Sequence, residues 1–316
     1  MTHKPVMINE VLEALHLKDG DIVVDGTFGR GGYSRAFLNA AKCDVWGVDR
    51  DPEAVAEGQA LEQEAEGRFH ILDSRFGEMD SALASHDVTK VQGIALDLGV
   101  SSPQIDQAER GFSFVRDGPL DMRMSQKGIS AADLVNSLPE DELADILYNY
   151  GEERASRRIA KKIVAIRREK PIKTTKQLAE IIYSVLPRHG KGIDPATRTF
   201  QALRIKVNDE MGELERGLEL AERLLQPGGR LAVVSFHSLE DRCVKQFLKN
   251  RSETKSSSGY RHLPDSNEVR PDPTFELGSR KAIKPSDEEC KANPRARSAK
   301  LRWAIRTAAP DIGRAK

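Results

Sequence analysis

The sequence predicts an α/β fold: an open, largely parallel sheet interrupted by a block of helices. Three observations predict it. A short apolar run, Asp21 to Val24, leads into a glycine-rich loop and then into a helix pattern. Strand and helix patterns then alternate as far as Leu98, with polar residues collected after each strand. From about Asp106 to Asn208 only helical patterns and structured loops occur, and a strong strand pattern returns at Arg230.

Val6 to Leu17 carries apolar residues at helical spacing, Val6, Ile8, Val11, Leu12 and Leu15, and is expected to pack on the start of the sheet. The first strand runs into Asp25-Gly26-Thr27-Phe28-Gly29-Arg30-Gly31-Gly32-Tyr33-Ser34. Backbone without Cβ turns sharply and lets a ligand lie against it. This is not the dinucleotide fingerprint, because Ser34 stands where the third glycine of that motif falls. Asp25 would repel a pyrophosphate and favour a ligand with an ammonium or sulfonium group. S-adenosylmethionine carries both; a glycine turn without any ligand is the plain alternative.

The second strand, Asp44 to Val48, ends at Asp49, close to the ~20-residue spacing from the loop expected of an acid that binds a ribose diol. The alternative is a solvated Asp-Arg-Asp-Pro turn before the helix Pro52 to Gly67. The third strand, Arg68 to Leu72, is followed by Phe76, an aromatic placed to cover an adenine ring or merely to pack. The fourth, Val91 to Leu98, delivers Asp97 and then Ser101-Ser102-Pro103-Gln104.

In the helical block, helices are expected at Ser130 to Ser137, Pro139 to Tyr150, Glu152 to Lys170 and from Thr174 or Thr175 to Leu186. Around Ile159, Ile163 and Ile166 the third of these carries Arg154, Arg157, Arg158, Lys161, Lys162, Arg167 and Arg168. Such a face is either solvated or a guide for phosphates. Beyond it come an amphipathic helix from Asp209 to Leu225, a Gln226-Pro227-Gly228-Gly229 turn, and a strand from Arg230 to Phe236. His237-Ser238-Leu239-Glu240-Asp241-Arg242 opens another helix. The polar stretch Ser252 to Arg280 is expected to be a mobile loop, and Lys300 to Thr307 a closing strand.

Composition narrows the function classes. The chain has 316 residues, 39% hydrophobic and 31% charged, enough for one large domain or two ordinary ones. Net charge is zero, so any basic face for nucleic acid must be local. Cys43, Cys243 and Cys290 lie far apart with no C-x-x-C pair, which argues against disulfides and a zinc knuckle; no metal is expected. Met1 to Glu10 has no apolar leader core, and no run approaches the ~18 apolar residues of a membrane span, so the expected compartment is the cytoplasm, with no membrane partner.

A late strand introduced by Pro-Gly-Gly and a final strand near the C-terminus resemble a class I S-adenosylmethionine-dependent methyltransferase. Longer strings narrow the resemblance: His3-Lys4-Pro5-Val6-Met7, Asp25 to Gly32, Asp97 to Gln104, Glu109 to Phe114, Asp117 to Met124, Pro195 to Ala202, Ser235 to Arg242 and Asn293 to Ser298. Together they are similar to the bacterial 16S ribosomal RNA cytosine-N4 methyltransferases, from His3 to about Arg306. The resemblance implies a Rossmann-like sheet with helices on both faces, formed by residues 1–105 and 209–316, and an inserted substrate-recognition domain, 106–208. It implies methyl transfer from S-adenosylmethionine to the exocyclic amine of one cytosine in the decoding region. The partner would be 16S ribosomal RNA or the small subunit.

It also implies that Gly31, Gly32, Tyr33, Asp49, Phe76, Asp97 and Gln104 line the cofactor site. Tyr33 stands where the family more usually has His, at a position expected to contribute mainly backbone. The residues agree on one point independently: methylating cytosine C5 needs a cysteine near the fourth strand, and Leu98 to Gln104 has none. Methylating an amine needs the nitrogen aligned with the methyl group and an acceptor for its proton. No catalytic base is assigned. His237 is expected either to meet the target base or to cap the next helix, and Asp121 and Arg123 have similar standing. Arg295 and Arg297 are candidates for flanking phosphates. The competing classes are an RNA-binding assembly factor with vestigial cofactor binding and a nicotinamide oxidoreductase; the intact loop, Asp49 and Asp97 disfavour the first, Ser34 the second.

Overall fold

The structure, a computed structural model, describes residues 5–188, 192, 194–253 and 272–312. The chain divides into two compact units, Met1–Gly99 with Gly212–Lys316, and Val100–Met211.

The first unit opens with α1 (Ile8–Leu15), whose Val11, Ala14 and Leu15 are buried. Then β1 (Ile22–Asp25), α2 (Gly32–Ala40), β2 (Asp44–Asp49), α3 (Pro52–Glu64), β3 (Phe69–Asp73), α4 (Met79–Ala84) and β4 (Val91–Asp97) follow. Asp51 caps α3, accepting from the Glu53 N–H at 3.1 Å, and Pro52 takes the first helical position, where its missing N–H costs nothing.

The second unit holds α5 (Ser102–Asp106), α6 (Ala131–Ser137), α7 (Glu140–Gly151), α8 (Ser156–Arg167), α9 (Thr175–Val185) and α10 (Ala196–Asn208). Its own core gathers Leu120, Met122, Leu143, Leu147, Ile159, Ile163, Ile182 and Leu203. Ser130 and Thr174 cap α6 and α9 in reciprocal boxes with Asp133 and Gln177. The sequence expectation for α8 began at Glu152 and ran to Lys170. The helix is shorter, because Glu152 turns left-handed (φ +50°) to end α7.

The chain returns to the first unit through α11 (Glu210–Leu224), then β5 (Leu225–Ser235), α12 (Ser238–Ser252), β6 (Phe275–Leu277), α13 (Asp287–Ala292) and β7 (Lys300–Arg306). The seven strands lie in the order β3-β2-β1-β4-β5-β7-β6. β1 to β5 pair in parallel, whereas β7 runs antiparallel between β5 and β6. That inserted antiparallel strand separates this Rossmann-like sheet, the class I methyltransferase arrangement, from the dinucleotide-binding order. The core beside it includes Val11, Val23, Phe37, Val45, Phe69, Ala232, Val234 and Leu301.

Two expectations are corrected here. Gln226 to Gly229 is not a free turn; it lies within β5, where pairing with β4 slips between Val91 and Gly93. Of the expected loop Ser252 to Arg280, residues 254–271 lie outside the described residues, but Phe275–Leu277 is an edge strand paired with Ala304 to Arg306. Its sequence is short and polar-flanked, so only β7 makes it a strand. Among the described residues no helix is long and apolar enough to cross a membrane.

Candidate cofactor site at the strand ends

The carboxyl ends of β1, β2, β3 and β4 are stitched together by hydrogen bonds between their loops. The Gly26 N–H donates to the Ala95 carbonyl at 2.9 Å and the Phe28 N–H to Val48 at 3.0 Å. The Asp97 N–H donates to Thr27 Oγ1 at 2.6 Å, tying the end of β4 to the loop after β1. Gly31, at φ +68°, starts α2 in a left-handed conformation that a side chain would strain. Gly32 is required by close approach: a Cβ there would stand 2.3 Å from Pro5 Cγ. The chain before α1 is thus laid on the glycine loop, and the Tyr33 hydroxyl holds it by donating to the Val6 carbonyl at 2.6 Å.

Asp49 sits at the centre of this edge. Its Oδ2 accepts from the Gly29 N–H at 2.8 Å and its Oδ1 from the Asp51 N–H at 2.9 Å. A carboxylate has about four acceptor sites, so both oxygens keep capacity for a ribose diol. Burial raises its carboxyl above the usual aspartate value, against the pull of those two N–H groups. Asp97 is half-buried, but its Oδ1 is shut off from solvent with no hydrogen-bond partner among the described residues. Burial, then Asp25 and Glu240, holds its carboxyl well above the ordinary range.

Asp25 does something the sequence did not suggest. It is fully buried, so it cannot touch a ligand as expected. Its Oδ2 accepts from the Ser34 N–H at 3.1 Å and the Ser34 hydroxyl at 2.7 Å, locking β1 to the first turn of α2. Burial pushes its carboxyl up to about 6, although the Ser34 hydroxyl pulls the other way. Ser34, which in the sequence only marked a missing glycine, is the residue that makes this clamp.

The remaining candidates fall into distinct places. The Tyr33 ring is buried, stacked on Phe37 with centroids 5.9 Å apart, so it offers a ligand only its backbone. Phe76 is half-buried at the β3 end; a Cβ on Gly217 of α11 would come within 2.5 Å of its ring. Glu213 of α11 holds the same corner, accepting from the Gly77 N–H at 3.1 Å and facing Arg75 at 3.3 Å. Gln104 belongs to the second unit, where its Oε1 accepts from the Ser101 N–H at 3.0 Å as half of the α5 capping box.

Of the two expectations for His237, the structure places it as a cap. Its Nδ1 accepts from the Glu240 N–H at 3.4 Å, and Glu240 Oε2 accepts from the Phe236 N–H at 2.7 Å and the His237 N–H at 3.2 Å. The Arg123 guanidinium forks onto Asp121 at 2.9 and 2.6 Å. Burial would raise the Asp121 carboxyl, but that fork holds it below its usual value. Arg295 and Arg297 are exposed on the 3-10 turn Pro294–Ser298 that Ala296 anchors in the core.

The strand edge has the chemistry that S-adenosylmethionine needs. Asp49 offers carboxylate acceptors, the glycine loop open backbone and Phe76 a half-buried apolar ring, while the unpartnered Asp97 Oδ1 is closed off just behind the edge.

Residues 1–307 match the MraW methylase family. The ribosomal RNA small subunit methyltransferase H of Paramagnetospirillum magneticum is 62% identical over 308 residues, covering 98% of this chain and 96% of the relative. The enzyme of the same name from Rhodospirillum rubrum is 56% identical over 311 residues, with 98% and 95% covered. Among solved structures, a SAM-dependent O-methyltransferase of Thermotoga maritima is similar at 10% identity and a TM-score of 0.41, with 99% of this chain and 69% of that one covered.

Proposed function

Because this chain belongs to the MraW methylase family, we propose that it methylates small-subunit ribosomal RNA at the exocyclic N4 amine of a cytosine in the decoding region. S-adenosylmethionine is the methyl donor. The observation that carries the reading is the stitched strand edge, with Asp49 and Asp97 on either side of the glycine loop. In this reading Asp49 holds the ribose, the loop backbone and Phe76 hold the rest of the nucleoside, and Asp97 faces the cationic end.

The choice of an amine over a ring carbon is supported by where the thiols lie. Attack at C5 requires a cysteine thiolate beside the target. Cys43 is buried just before β2, at the opposite end of the strands from the loop, and its Sγ–H donates to the Phe37 carbonyl at 3.4 Å. Burial, with Glu215 and Glu240, pushes the Cys243 thiol up to about 11, which leaves almost no thiolate at neutral pH. Cys290 lies on α13, in none of the loops that follow β1 to β4. An amine nitrogen attacks directly and needs no covalent intermediate; alignment with the methyl group and removal of one proton suffice.

The RNA is engaged by basic faces within a chain of zero net charge. On α8, Arg157, Arg158, Lys161 and Lys162 are exposed, and Arg295 and Arg297 form a second cationic point in the first unit. A paired cytosine hides N4 in the helix, so the target must be unpaired or turned out of its stack. Ribosomal RNA from cells with and without this protein, digested and mapped by mass spectrometry, tests the reading. A cytosine that carries N4-methyl only when the protein is present is the expected result. A methyl on a ring carbon, on a ribose, or on no RNA at all would refute it.

A further inference from the structure

β1 and β4 are neighbours, with Asp25 paired to Ala95, so Asp97 lies only two residues further along the adjacent strand. Each aspartate has one oxygen, Oδ1, that is buried with no hydrogen-bond partner among the described residues. The charges that bear on them are acidic: Asp49 on Asp25, and Asp25 with Glu240 on Asp97. Glu240 is itself shared with His237, whose Nε2 lies 3.0 Å from Glu240 Oε1, and Tyr33 of α2 adds a neutral phenol. Two buried carboxylates this placed do not both ionise without a nearby cation.

We propose that Asp25 and Asp97 read the charge of whatever fills the site: the sulfonium cofactor is held with both carboxylates ionised, while the uncharged thioether product is held with one proton on the pair. The proposal rests on the strand ends being the cofactor site. Binding of the sulfonium form then releases a proton from the pair to solvent. On transfer, the S–CH3 bond breaks and an N–CH3 bond forms, the positive charge moves to the amine, and the amine sheds one proton. The sulfur left behind is neutral, so the pair takes one proton back. The site thereby favours donor over spent product, through two residues of which Asp25 is too deep to touch either ligand.

S-adenosylmethionine and S-adenosylhomocysteine share every other group, so comparing them isolates the sulfonium. Each is titrated calorimetrically into the full-length protein between about pH 6 and 8, in two buffers of different ionisation enthalpy. The expected result is greater proton release with S-adenosylmethionine, and an affinity ratio that rises with pH by up to about tenfold per unit for one proton. Asp97→Asn should shrink both differences, whereas Phe76→Ala, which removes no charge, should weaken both ligands without changing either difference. Equal proton counts with a pH-independent ratio would overturn the proposal. Failure of both ligands to bind would overturn the cofactor reading beneath it and the proposal with it.

Discussion

Asp25→Asn offers a direct measure of how much charge the buried clamp stores. The carboxyl is fully buried and stands at about 6 against 3.8 for an ordinary aspartate. The folded chain therefore holds this proton more tightly than the unfolded chain. Asp25 favours folding in full below about pH 4, and that advantage is lost as pH rises through about 6. Raising a carboxyl by this much is worth about 3 kcal/mol in all, of which about 2 kcal/mol falls between pH 4.5 and 7.5. Asparagine keeps an oxygen to accept from the Ser34 N–H and hydroxyl but carries no charge.

Urea unfolding of parent and variant at the two pH values, followed by tryptophan fluorescence, makes the comparison. Trp46 in β2 and Trp303 in β7 both report on the first unit. Any fixed packing cost of the amide cancels between the two conditions. The parent should lose about 2 kcal/mol more than the variant on going from pH 4.5 to 7.5. A stability gap that does not move with pH would show that Asp25 is already ionised cheaply, and the burial argument would fail.

Three other outcomes follow from the same structure. Asp49→Ala removes the acceptor of the Gly29 and Asp51 N–H groups and should weaken S-adenosylmethionine binding by ~1.5–3 kcal/mol in calorimetry, with the circular-dichroism spectrum unchanged. Arg157→Glu with Lys161→Glu should lower RNA affinity and flatten the slope of log K against log salt by ~0.7–0.9 per lost phosphate contact; equal slopes would make this face of α8 merely solvated. Arg158 is left intact in that test because it donates to the Val185 carbonyl at 3.1 Å. Replacing Arg295 and Arg297 by alanine should raise KM for RNA and leave cofactor affinity alone, whereas an equal fall in both would assign the turn to the fold.

The sequence by itself determined the features set by short-range chemistry. Alternating strands and helices, the glycine loop, acids at strand ends and a cap at Thr174 or Thr175 depend on neighbours within a few residues, so periodicity and turn residues reveal them. The basic face of α8 is equally visible, since helical spacing alone puts Ile159 and Ile163 opposite Arg157 and Lys161.

Only the tertiary structure decided which way the polar groups face and what distant chain they meet. Asp25 reads as a ligand group, but burial beneath α2 turns it into a clamp for Ser34. His237 reads equally as a base contact or a cap, and the structure shows the cap, made with Glu240 three residues on. Gly32 answers to Pro5, 27 residues earlier, and Phe275–Leu277 becomes a strand only because β7 arrives beside it. Pro5 and β7 are remote in sequence from what they decide, and desolvation, which sets the cost of a buried carboxylate or an unpaired strand edge, depends on the whole packed environment.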